Sequence, residues 1–572
     1  MTESAAVLLC DGRIVAAAEE ERFSRVKHDG GLPYRAIRFV LEFAGLSIRD
    51  IDCVGVYWDP YKVKHRARFM LGLSVRNPKR FVEKARRGLS VWRGEHTTGQ
   101  EGGWGSLFSI KRKLQHHFGF APKKLVFLDH HRCHMASGLY ASHFDSCAIL
   151  IMDGAGEAAC TTSGQGQGAR ITKINEHLLP HSLGHFYSAV TGYLGFKMLD
   201  GEYKLMGLSP YGDPSGASWI RRNLLRSVGP GQYRFESDGL DYHEALRGRF
   251  TGAFADHFGP PRPREGGEFN DRHRDIAASA QRAFEEVVLD MARELRRRTR
   301  MPDLVIAGGC GLNCVANGRI LREGIFERIY VPPVPHDAGG ALGAAMALYV
   351  ASTGRRPDLL DHAQFGPSYG HGQIRSALAA CADVQAEELD EGALVGRAAE
   401  WLAGGRVIGW IQGRMEFGPR ALGNRSFLAD PRSDSIRDVI NQKIKKRELF
   451  RPFAPSVKAE KASDYFEINQ HSPFMTIVVP VREQARSLIP AVTHVDGTAR
   501  PQTVDRAVNP RYWQLLDAFE KRTGVACLLN TSFNIQEPIV CTPDEALATF
   551  ARSDIDALAI GDFWITRRSA PN

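Results

Sequence analysis

The sequence lacks the features that mark membrane proteins, disulfide-stabilised proteins and repeat proteins. No run approaches the roughly 18 apolar residues of a membrane span, and no charged start followed by an apolar stretch resembles a signal peptide. The ten cysteines are scattered without a CxxC pair, as expected for reduced thiols. No repeat with a period of roughly 20 to 50 residues is visible. These absences predict a cytoplasmic protein without a membrane partner.

Length and charge set further limits. The 572 residues exceed the roughly 250 to 300 residues at which single cores stop growing, so two domains are expected. The net charge of +9 comes from residues 62–93, which hold eleven Lys or Arg and a single acid, Glu83. A solvated helical face is the favoured interpretation, and a site for an anion or RNA stays open. Aromatic residues are sparse there and no RNA-binding signature accompanies them, so nucleic acid is not expected as a partner.

Short apolar runs alternate with helical patterns along the chain and indicate an α/β protein. A stretch rich in Pro and Gly, residues 351–372, interrupts this alternation. We therefore predict a first domain over residues 1–355, a linker over 356–372 and a second domain over 373–572. In the second domain the patterns predict helices at 394–403, 435–443 and 543–552, and strands at 407–411, 475–479 and 527–529. A glycine-rich run at 164–168 resembles a dinucleotide loop, but no helical pattern follows it, so a hairpin turn is predicted.

Two histidines four residues apart suggest part of a metal site. His130 and His134 follow a predicted strand at helical spacing, which places both imidazoles on one helix face, while His131 points about 100° away. Such a pair alone is more often a coincidence than a ligand pair. Asp153 follows an apolar strand and opens a glycine-rich turn, and Asp337 precedes a helix of small residues, where capping is the alternative role. These two carboxylates make a metal site the better interpretation.

The stretch Ala307-Gly-Gly-Cys-Gly-Leu-Asn313 follows another predicted strand. Glycines at such a position present backbone N–H groups to phosphate. A single glycine-rich turn is a weak signal. Three glycine-flanked acidic or amide loops recur in this part of the chain, however, as a two-lobed nucleotide-binding fold requires.

Together these segments resemble the O-carbamoyltransferase family that includes the nodulation-factor, cephem-antibiotic and aminoglycoside carbamoyltransferases. The motifs that carry the resemblance run in order through nearly the whole chain. They are EEERF (19–23), HHRCH (130–134), SLGHFY (182–187), KLMGLSPYG (204–212), AGG (307–309), GRMEFGPRALGNRS (413–426), RPFAPS (451–456), RPQT (500–503) and NTSFN (530–534).

The resemblance implies an N-terminal actin-like ATPase domain, similar to the transferase that makes threonylcarbamoyl-adenosine in tRNA, and a C-terminal YrdC-like α/β domain. It implies ATP and carbamoyl phosphate as co-substrates, carbamoyl-adenylate as the intermediate and a small-molecule hydroxyl as the acceptor. The implied cofactors are a divalent metal, with iron favoured and zinc or manganese open, and Mg²⁺ accompanying ATP. The identity of the acceptor and a homodimeric state are left open.

Carried over position by position, the resemblance implies four groups of site residues. Arginines suit such a site because their planar donors bind phosphate in pairs. The metal ligands are expected to be His130, His134, Asp153 and Asp337; the nucleotide contacts Lys204, Gly308, Gly309 and Asn313; the catalytic residues Lys27, Lys445, Arg451 and Ser532; and the substrate contacts Arg420, Arg500 and Asn530.

The N-terminus departs from the family pattern. Family members usually begin with an extra strand and a His-Asp-x-Ser segment, whose histidine is a candidate base for the acceptor hydroxyl. The aligned stretch here is Met1-Thr-Glu-Ser-Ala-Ala-Val-Leu8, without the strand and the histidine. We expect either a start upstream of Met1 or a different base, and a first sheet that lacks one strand. Two alternative functions stay open, a tRNA-modifying threonylcarbamoyl enzyme and an actin-fold regulatory ATPase; the second-domain cations argue against the ATPase.

Overall fold

The computed structural model describes residues 3–62, 104–250, 252–264 and 267–568. We call residues 3–354 the N-terminal half and residues 371–568 the C-terminal half, and number helices and strands among the described residues. The prediction for the basic segment 62–93 lies outside the described residues except at Lys62. No helix of the described part is both long and apolar enough to cross a membrane.

The N-terminal half alternates strands with helices, as the apolar runs predict. Its strands are β1 (Ala5–Cys10), β2 (Arg13–Glu19), β3 (Val54–Val56), β4 (Leu125–Phe127), β5 (Ser146–Met152), β6 (Ala159–Gln167), β7 (Arg170–Leu178), β8 (Leu225–Gly229), β9 (Gln232–Phe235), β10 (Asp303–Ala307) and β11 (Arg328–Tyr330). Its helices are α1 (Glu21–Ser24), α2 (Tyr34–Phe43), α3 (Ile110–Phe118), α4 (His130–Ala141), α5 (Leu183–Tyr193), α6 (Glu202–Leu208), α7 (Ala217–Asn223), α8 (Tyr242–Ala245), α9 (Ala253–Phe258), α10 (Asp271–Thr299), α11 (Cys314–Arg322) and α12 (Asp337–Thr353).

A five-stranded sheet with the order β11-β10-β5-β6-β7 forms the centre of this half. β10 runs parallel to both β5 and β11, whereas β5, β6 and β7 are antiparallel. Every residue of β10, and all but the first of β5, is buried, as expected for strands covered on both faces. Among the described residues, β1 pairs only with β2, and β3 only with β4. The loops that follow β5 and β10 leave the same edge of the sheet.

The C-terminal half is built on an eight-stranded mixed sheet with the order β12-β21-β20-β13-β14-β19-β15-β18. Its strands are β12 (Val384–Glu388), β13 (Ile408–Ile411), β14 (Arg425–Ala429), β15 (Ala454–Lys458), β16 (Val479–Pro480), β17 (Thr498–Ala499), β18 (Gln502–Val504), β19 (Cys527–Ser532), β20 (Ala557–Ile560) and β21 (Phe563–Arg567). Its helices are α13 (His371–Ala379), α14 (Glu391–Ala403), α15 (Asp434–Val439), α16 (Ala462–Tyr465), α17 (Glu483–Arg486), α18 (Pro510–Thr523) and α19 (Pro543–Arg552).

The mixed α/β class is confirmed. Among the described residues, no β-sheet combines strands from the two halves. The limits of the two domains and of the linker stay a prediction. The predicted helix at 543–552 coincides with α19, which begins with a capping box between Thr542 and Glu545. The predicted helix at 435–443 changes character midway, because α15 is followed by a π-helical turn, Ile440–Ile444.

Two local predictions need correction. The predicted strand at 475–479 is wrong over most of its length, since Met475 has a left-handed backbone (φ 55°) and only Val479–Pro480 is extended. The glycine-rich run does belong to the β6–β7 hairpin, but Gly164 and Gly166 lie within β6 and not in the turn. A Cβ on Gly164 would lie 2.3 Å from Met135 Cε, so this glycine allows α4 to pack closely on the strand.

Candidate active site between the two halves

Four buried side chains converge where two helices and one strand meet. His130 and His134 lie one turn apart on α4, Asp153 follows β5, and Asp337 is the first residue of α12. Their ligand-type atoms all lie within 4.8 Å of one another. His130 Nε2 is 2.9 Å from Asp153 Oδ2 and 3.5 Å from Asp337 Oδ1. It also lies 3.1 Å from His134 Nε2. The structure therefore brings the four predicted metal ligands together.

Close packing of α4 against α12 explains this convergence. A Cβ on Gly343 of α12 would lie 1.8 Å from the carbonyl oxygen of Cys133 of α4, so only glycine permits this approach. The cap of α12 is His336, whose side chain accepts from the backbone N–H of Ala338. The capping role considered for Asp337 thus belongs to its neighbour, and the Asp337 carboxylate faces His130 instead.

Contacts outside the cluster orient His130. Its Nδ1 lies 3.3 Å from the carbonyl oxygen of Tyr57, which makes Nδ1 a donor and leaves Nε2 facing the carboxylates. Glu157 Oε1 accepts from the backbone N–H of His130 at 3.1 Å and from that of Asp59 at 2.7 Å. Partners of this kind fix the tautomer and orientation of metal-binding histidines.

The electrostatics of the cluster suit a cation. Burial alone would lower the pKa of His130, but the hydrogen bond to Asp153 and the nearby carboxylates raise it to about 9. Burial also lowers the pKa of His134 and raises that of Asp337. Two imidazoles and two carboxylates are a donor set for a first-row divalent metal, which would displace the His130 proton on binding. The residues present therefore fit the metal that the resemblance implies.

The glycine loop after β10 touches the same cluster. Because β5 and β10 are parallel neighbours, the loops that follow them meet at one edge, and Gly309 N donates to Asp153 Oδ1 at 2.9 Å. Gly308 has a left-handed backbone (φ 86°), and a Cβ there would lie 2.2 Å from the carbonyl oxygen of Met152. Only glycine can take this position without moving β5.

One cavity of about 1200 Å³ extends from this edge to the C-terminal half. His130 and His134 are fully buried and do not line it, and neither does Gly308. The other twelve predicted site residues all do. They are Lys27, Asp153, Lys204, Gly309, Asn313, Asp337, Arg420, Lys445, Arg451, Arg500, Asn530 and Ser532.

Seven cations of the C-terminal half line the far end of the cavity: Arg420, Arg437, Lys445, Lys446, Arg447, Arg451 and Arg500. Burial lowers the pKa of Lys445 well below its usual range, and the charges of Arg447 and Arg451 lower it further. Burial likewise lowers the pKa of Arg420, and the charge of Arg500 adds to the effect. Gathered like charges of this kind are unfavourable until an anion neutralises them. This end of the cavity is therefore suited to a ligand with several negative charges.

Lys445 joins two segments of this anion site. It follows the π-helical turn and is 1% exposed. Its Nζ donates to the carbonyl oxygen and to Oδ1 of Asn534, both at 2.7 Å, and to the carbonyl oxygen of Ser532. Ser532 is the last residue of β19. The lysine thereby fixes the loop that carries the NTSFN motif.

Three predicted residues are engaged in other contacts. Asn530 Nδ2 donates to Ser456 Oγ at 3.0 Å within a buried network. Lys204 Nζ donates to Glu448 Oε1 at 2.8 Å and so links the two halves. Asn313 caps α11 through its side chain. Their contribution to ligand binding stays a prediction.

The sequence reasoning missed three residues that the structure places at the site. Arg447 lines the cavity two residues after Lys445, and only its place in a basic run could have indicated it. Glu157 belongs to the same glycine-rich turn as Asp153. His28 lines the cavity beside Lys27, and its ring nitrogens lie 2.7 Å from Glu3 Oε1 and 3.0 Å from Asp200 Oδ1.

Comparison with known proteins identifies the family of the chain. The family described as "Carbamoyltransferase N-terminus" matches residues 1–346, and "Carbamoyltransferase C-terminus" matches residues 399–567. An uncharacterized protein of Synechocystis is 42% identical over 100% of this chain and 96% of its own length. The nodulation protein NolNO of Sinorhizobium fredii is 40% identical over 100% of this chain and 80% of its own length.

The 3'-hydroxymethylcephem-O-carbamoyltransferase of Streptomyces clavuligerus is 32% identical over 65% of this chain and 66% of its own length. Among solved structures, the T. kodakarensis HypF is 14% identical, with a TM-score of 0.24 over 44% of this chain and 40% of that chain. This score is too low to support a conclusion about the fold. The two family matches cover most of the sequence, and the chain therefore belongs to the carbamoyltransferase family of enzymes.

Proposed function

We propose that the protein is an ATP-dependent O-carbamoyltransferase that converts carbamoyl phosphate into carbamoyl-adenylate and transfers the carbamoyl group to a hydroxyl of a small molecule. The observation that carries the proposal is the shared cavity, with a cluster of seven cations at one end and Asp153 and Asp337 at the other. The relative named as a hydroxymethylcephem O-carbamoyltransferase supports a hydroxyl acceptor. An actin-like N-terminal domain and a YrdC-like C-terminal domain are part of the same proposal.

The reaction balances in three steps. Water cleaves carbamoyl phosphate to carbamate and inorganic phosphate, because the adenylate needs a carbamate oxygen bound to phosphorus. That oxygen attacks the α-phosphorus of ATP, and pyrophosphate leaves with the electron pair of the broken P–O bond. The acceptor oxygen then attacks the carbamoyl carbon, AMP leaves, and the hydroxyl proton passes to a base.

The C-terminal cations serve the first two steps. Arginine and lysine donors placed around the phosphates stabilise the charge that develops on the leaving groups. Arg420, Arg451 and Arg500 can hold phosphate oxygens, while Lys445 holds the Ser532–Asn534 segment against them. Desolvation strengthens these contacts because the local dielectric constant is low.

The N-terminal end of the cavity serves the transfer step. Asp153 and Asp337 line the cavity, and the buried histidine pair lies directly behind them. Lys27 also lines the cavity, and its charge lowers the pKa of Lys445. A divalent metal bound by this group would polarise the carbamoyl carbonyl or acidify the acceptor hydroxyl. Gly309 N holds Asp153 Oδ1 and so orients this carboxylate.

Pyrophosphate release tests the proposal without knowledge of the acceptor. We expect ATP to release pyrophosphate only when carbamoyl phosphate is present. His130→Ala should leave this release unchanged while abolishing metal binding, because His130 belongs to the candidate metal ligands and not to the cation cluster. An exposed histidine, His143, provides the matched control through His143→Ala. Hydrolysis of ATP to ADP without carbamoyl phosphate would contradict the proposal and favour a regulatory ATPase.

A further inference from the structure

A short segment of the N-terminal half, residues 19–28, reaches two loops of the C-terminal anion site. Arg22 Nη2 donates to the carbonyl oxygen of Gly418 at 2.8 Å. Arg25 Nη1 donates to the carbonyl oxygen of Ile539 at 2.8 Å, and its Nη2 to that of Pro538 at 2.7 Å. Two guanidinium groups of one half therefore hold backbone carbonyls of the other.

The first of these loops carries Arg420, two residues after Gly418. Gly418 has a left-handed backbone (φ 134°), and a Cβ there would lie 2.7 Å from the carbonyl oxygen of Pro333. Pro333 belongs to the N-terminal half and lies four residues before Asp337. The loop is thus held by Arg22 and pressed against Pro333, so the position of Arg420 depends on contacts with the N-terminal half.

The second loop begins at Asn534, which accepts from Lys445. Arg25 holds its far end through the two carbonyls and through an ion pair of 3.2 Å with Glu545. Glu545 also accepts from the backbone N–H of Cys541 at 2.7 Å and caps α19. Arg25 therefore fixes residues 538–545 in relation to the lysine of the anion site.

The charges of the segment are balanced locally. Arg22 is 3% exposed and pairs with Glu19 at 2.6 Å and Glu21 at 2.8 Å. Because these two carboxylates neutralise the charge of Arg22, its contact with the carbonyl oxygen of Gly418 acts mainly as a hydrogen bond. The segment continues into Lys27 and His28, which also line the cavity. His28 pairs with Glu3, which in turn pairs with His336 beside Asp337. One segment thus contacts both ends of the cavity.

We propose that Arg22 and Arg25 are positioning residues through which the N-terminal half completes the carbamoyl-phosphate site of the C-terminal half. The inference rests on the proposed function and extends it, because adenylate formation then requires the N-terminal half as well. Neither arginine needs to touch the substrate. Each acts through a loop, Arg22 through the one that carries Arg420 and Arg25 through the one that anchors Lys445.

The test compares Arg25→Met, Arg25→Lys and Arg567→Met by carbamoyl-phosphate-dependent pyrophosphate release without an acceptor. Arg567 is a matched control, since it donates to the carbonyl oxygens of Ile555 and Phe550 within the C-terminal half alone. We expect Arg25→Met to raise the KM for carbamoyl phosphate about tenfold with little change in kcat, as the loss of two or three hydrogen bonds predicts. Arg25→Lys should recover part of this loss, and Arg567→Met should show none.

Amide hydrogen exchange supplies a readout that does not depend on the reaction. In Arg25→Met the amides of Val540 and Cys541 should exchange faster, while in Arg567→Met they should not change. The inference would be overturned if Arg25→Met left the KM for carbamoyl phosphate unchanged, or if Arg567→Met raised that KM equally. It would also be overturned if Arg25→Lys were no better than Arg25→Met, or if amide exchange in Arg25→Met did not change. A wild-type protein without carbamoyl-phosphate-dependent pyrophosphate release would instead overturn the proposed function, and the exchange result would still decide whether Arg25 positions the loop.

Discussion

Replacing Arg447 with methionine separates anion binding from stability. Arg447 lines the cavity, its Nε donates to Asn441 Oδ1 at 2.7 Å, and its guanidinium lies 4.6 Å from the ring centre of Phe453. Its Nη2 is buried and has no hydrogen-bond partner within the described part of the chain. A buried donor without a partner that lies beside a cavity is a candidate contact for a ligand. Methionine keeps the packing of the stem and removes the charge and the donors.

The expected loss of affinity follows from the contact that Arg447 offers. A hydrogen bond between charged groups contributes about 1.5 to 3 kcal/mol, which corresponds to roughly a 10- to 150-fold higher KM. The stability should change little or rise. Losing the bond to Asn441 costs about 1 kcal/mol, whereas removing an unpaired buried donor returns about 1 to 3 kcal/mol. Burial and the charge of Arg451 lower the pKa of Arg447 well below its usual range, which agrees with an unfavourable environment in the free protein.

Pyrophosphate release at varied ATP and carbamoyl phosphate, together with thermal unfolding, measures both effects. Arg432→Met is the control, because Arg432 pairs with Asp430 in the same half but does not line the cavity. An unchanged KM for both substrates would refute the assignment of Arg447 to the anion site. A fall of several degrees in Tm would show that Arg447 serves the fold instead.

Two further predictions concern the candidate metal ligands (His130, His134, Asp153 and Asp337) and the cation cluster. Glu157→Gln should weaken binding of a divalent metal by about 10- to 100-fold, because the residue that orients His130 loses its charge; a Zn²⁺ titration measures this, and unchanged affinity would contradict it. Binding of pyrophosphate should take up protons, because the anion raises the lowered pKa of Lys445, and affinity should therefore fall as pH rises. Calorimetry in buffers of different ionisation enthalpy detects this uptake, which Lys445→Met should reduce.

The sequence predicted those elements whose signals are local. The helix at 543–552 was predicted correctly because Thr542, Pro543 and Glu545 mark its start. The run at 475–479 has the apolar composition of a strand, yet tertiary contacts decide its conformation. Val478 N donates to the carbonyl oxygen of Cys314, and a Cβ on Gly318 would lie 1.7 Å from the carbonyl oxygen of Val478. No local pattern encodes this contact with α11.

The residues of the candidate site differ in the same way: some have a local sequence signal and could be predicted, and others do not. The metal group could be predicted because helix spacing relates His130 to His134, and motif order supplied the two carboxylates. Arg447 could not, because Lys445, Lys446 and Arg447 form a run that looks like an ordinary basic surface. The π-helical turn and the left-handed backbone of Lys446 (φ 48°) decide that Lys445 is buried while Lys446 is exposed. All three side chains line the cavity. How deeply each of them is buried is set by the backbone and not by the composition.

The free protein gathers like charges at the C-terminal end of the cavity, and this suggests how an anion acts on it. The cations of the C-terminal half repel one another, as the lowered pKa values of Lys445 and Arg420 indicate. A ligand that binds only the folded chain stabilises it by RT ln(1 + [L]/Kd), and here it also relieves existing repulsion. Some of the contacts that join the halves, such as Lys204 with Glu448, are polar and involve residues that line the cavity. Anion binding should therefore order the junction between the halves as well as the loops that contact the anion.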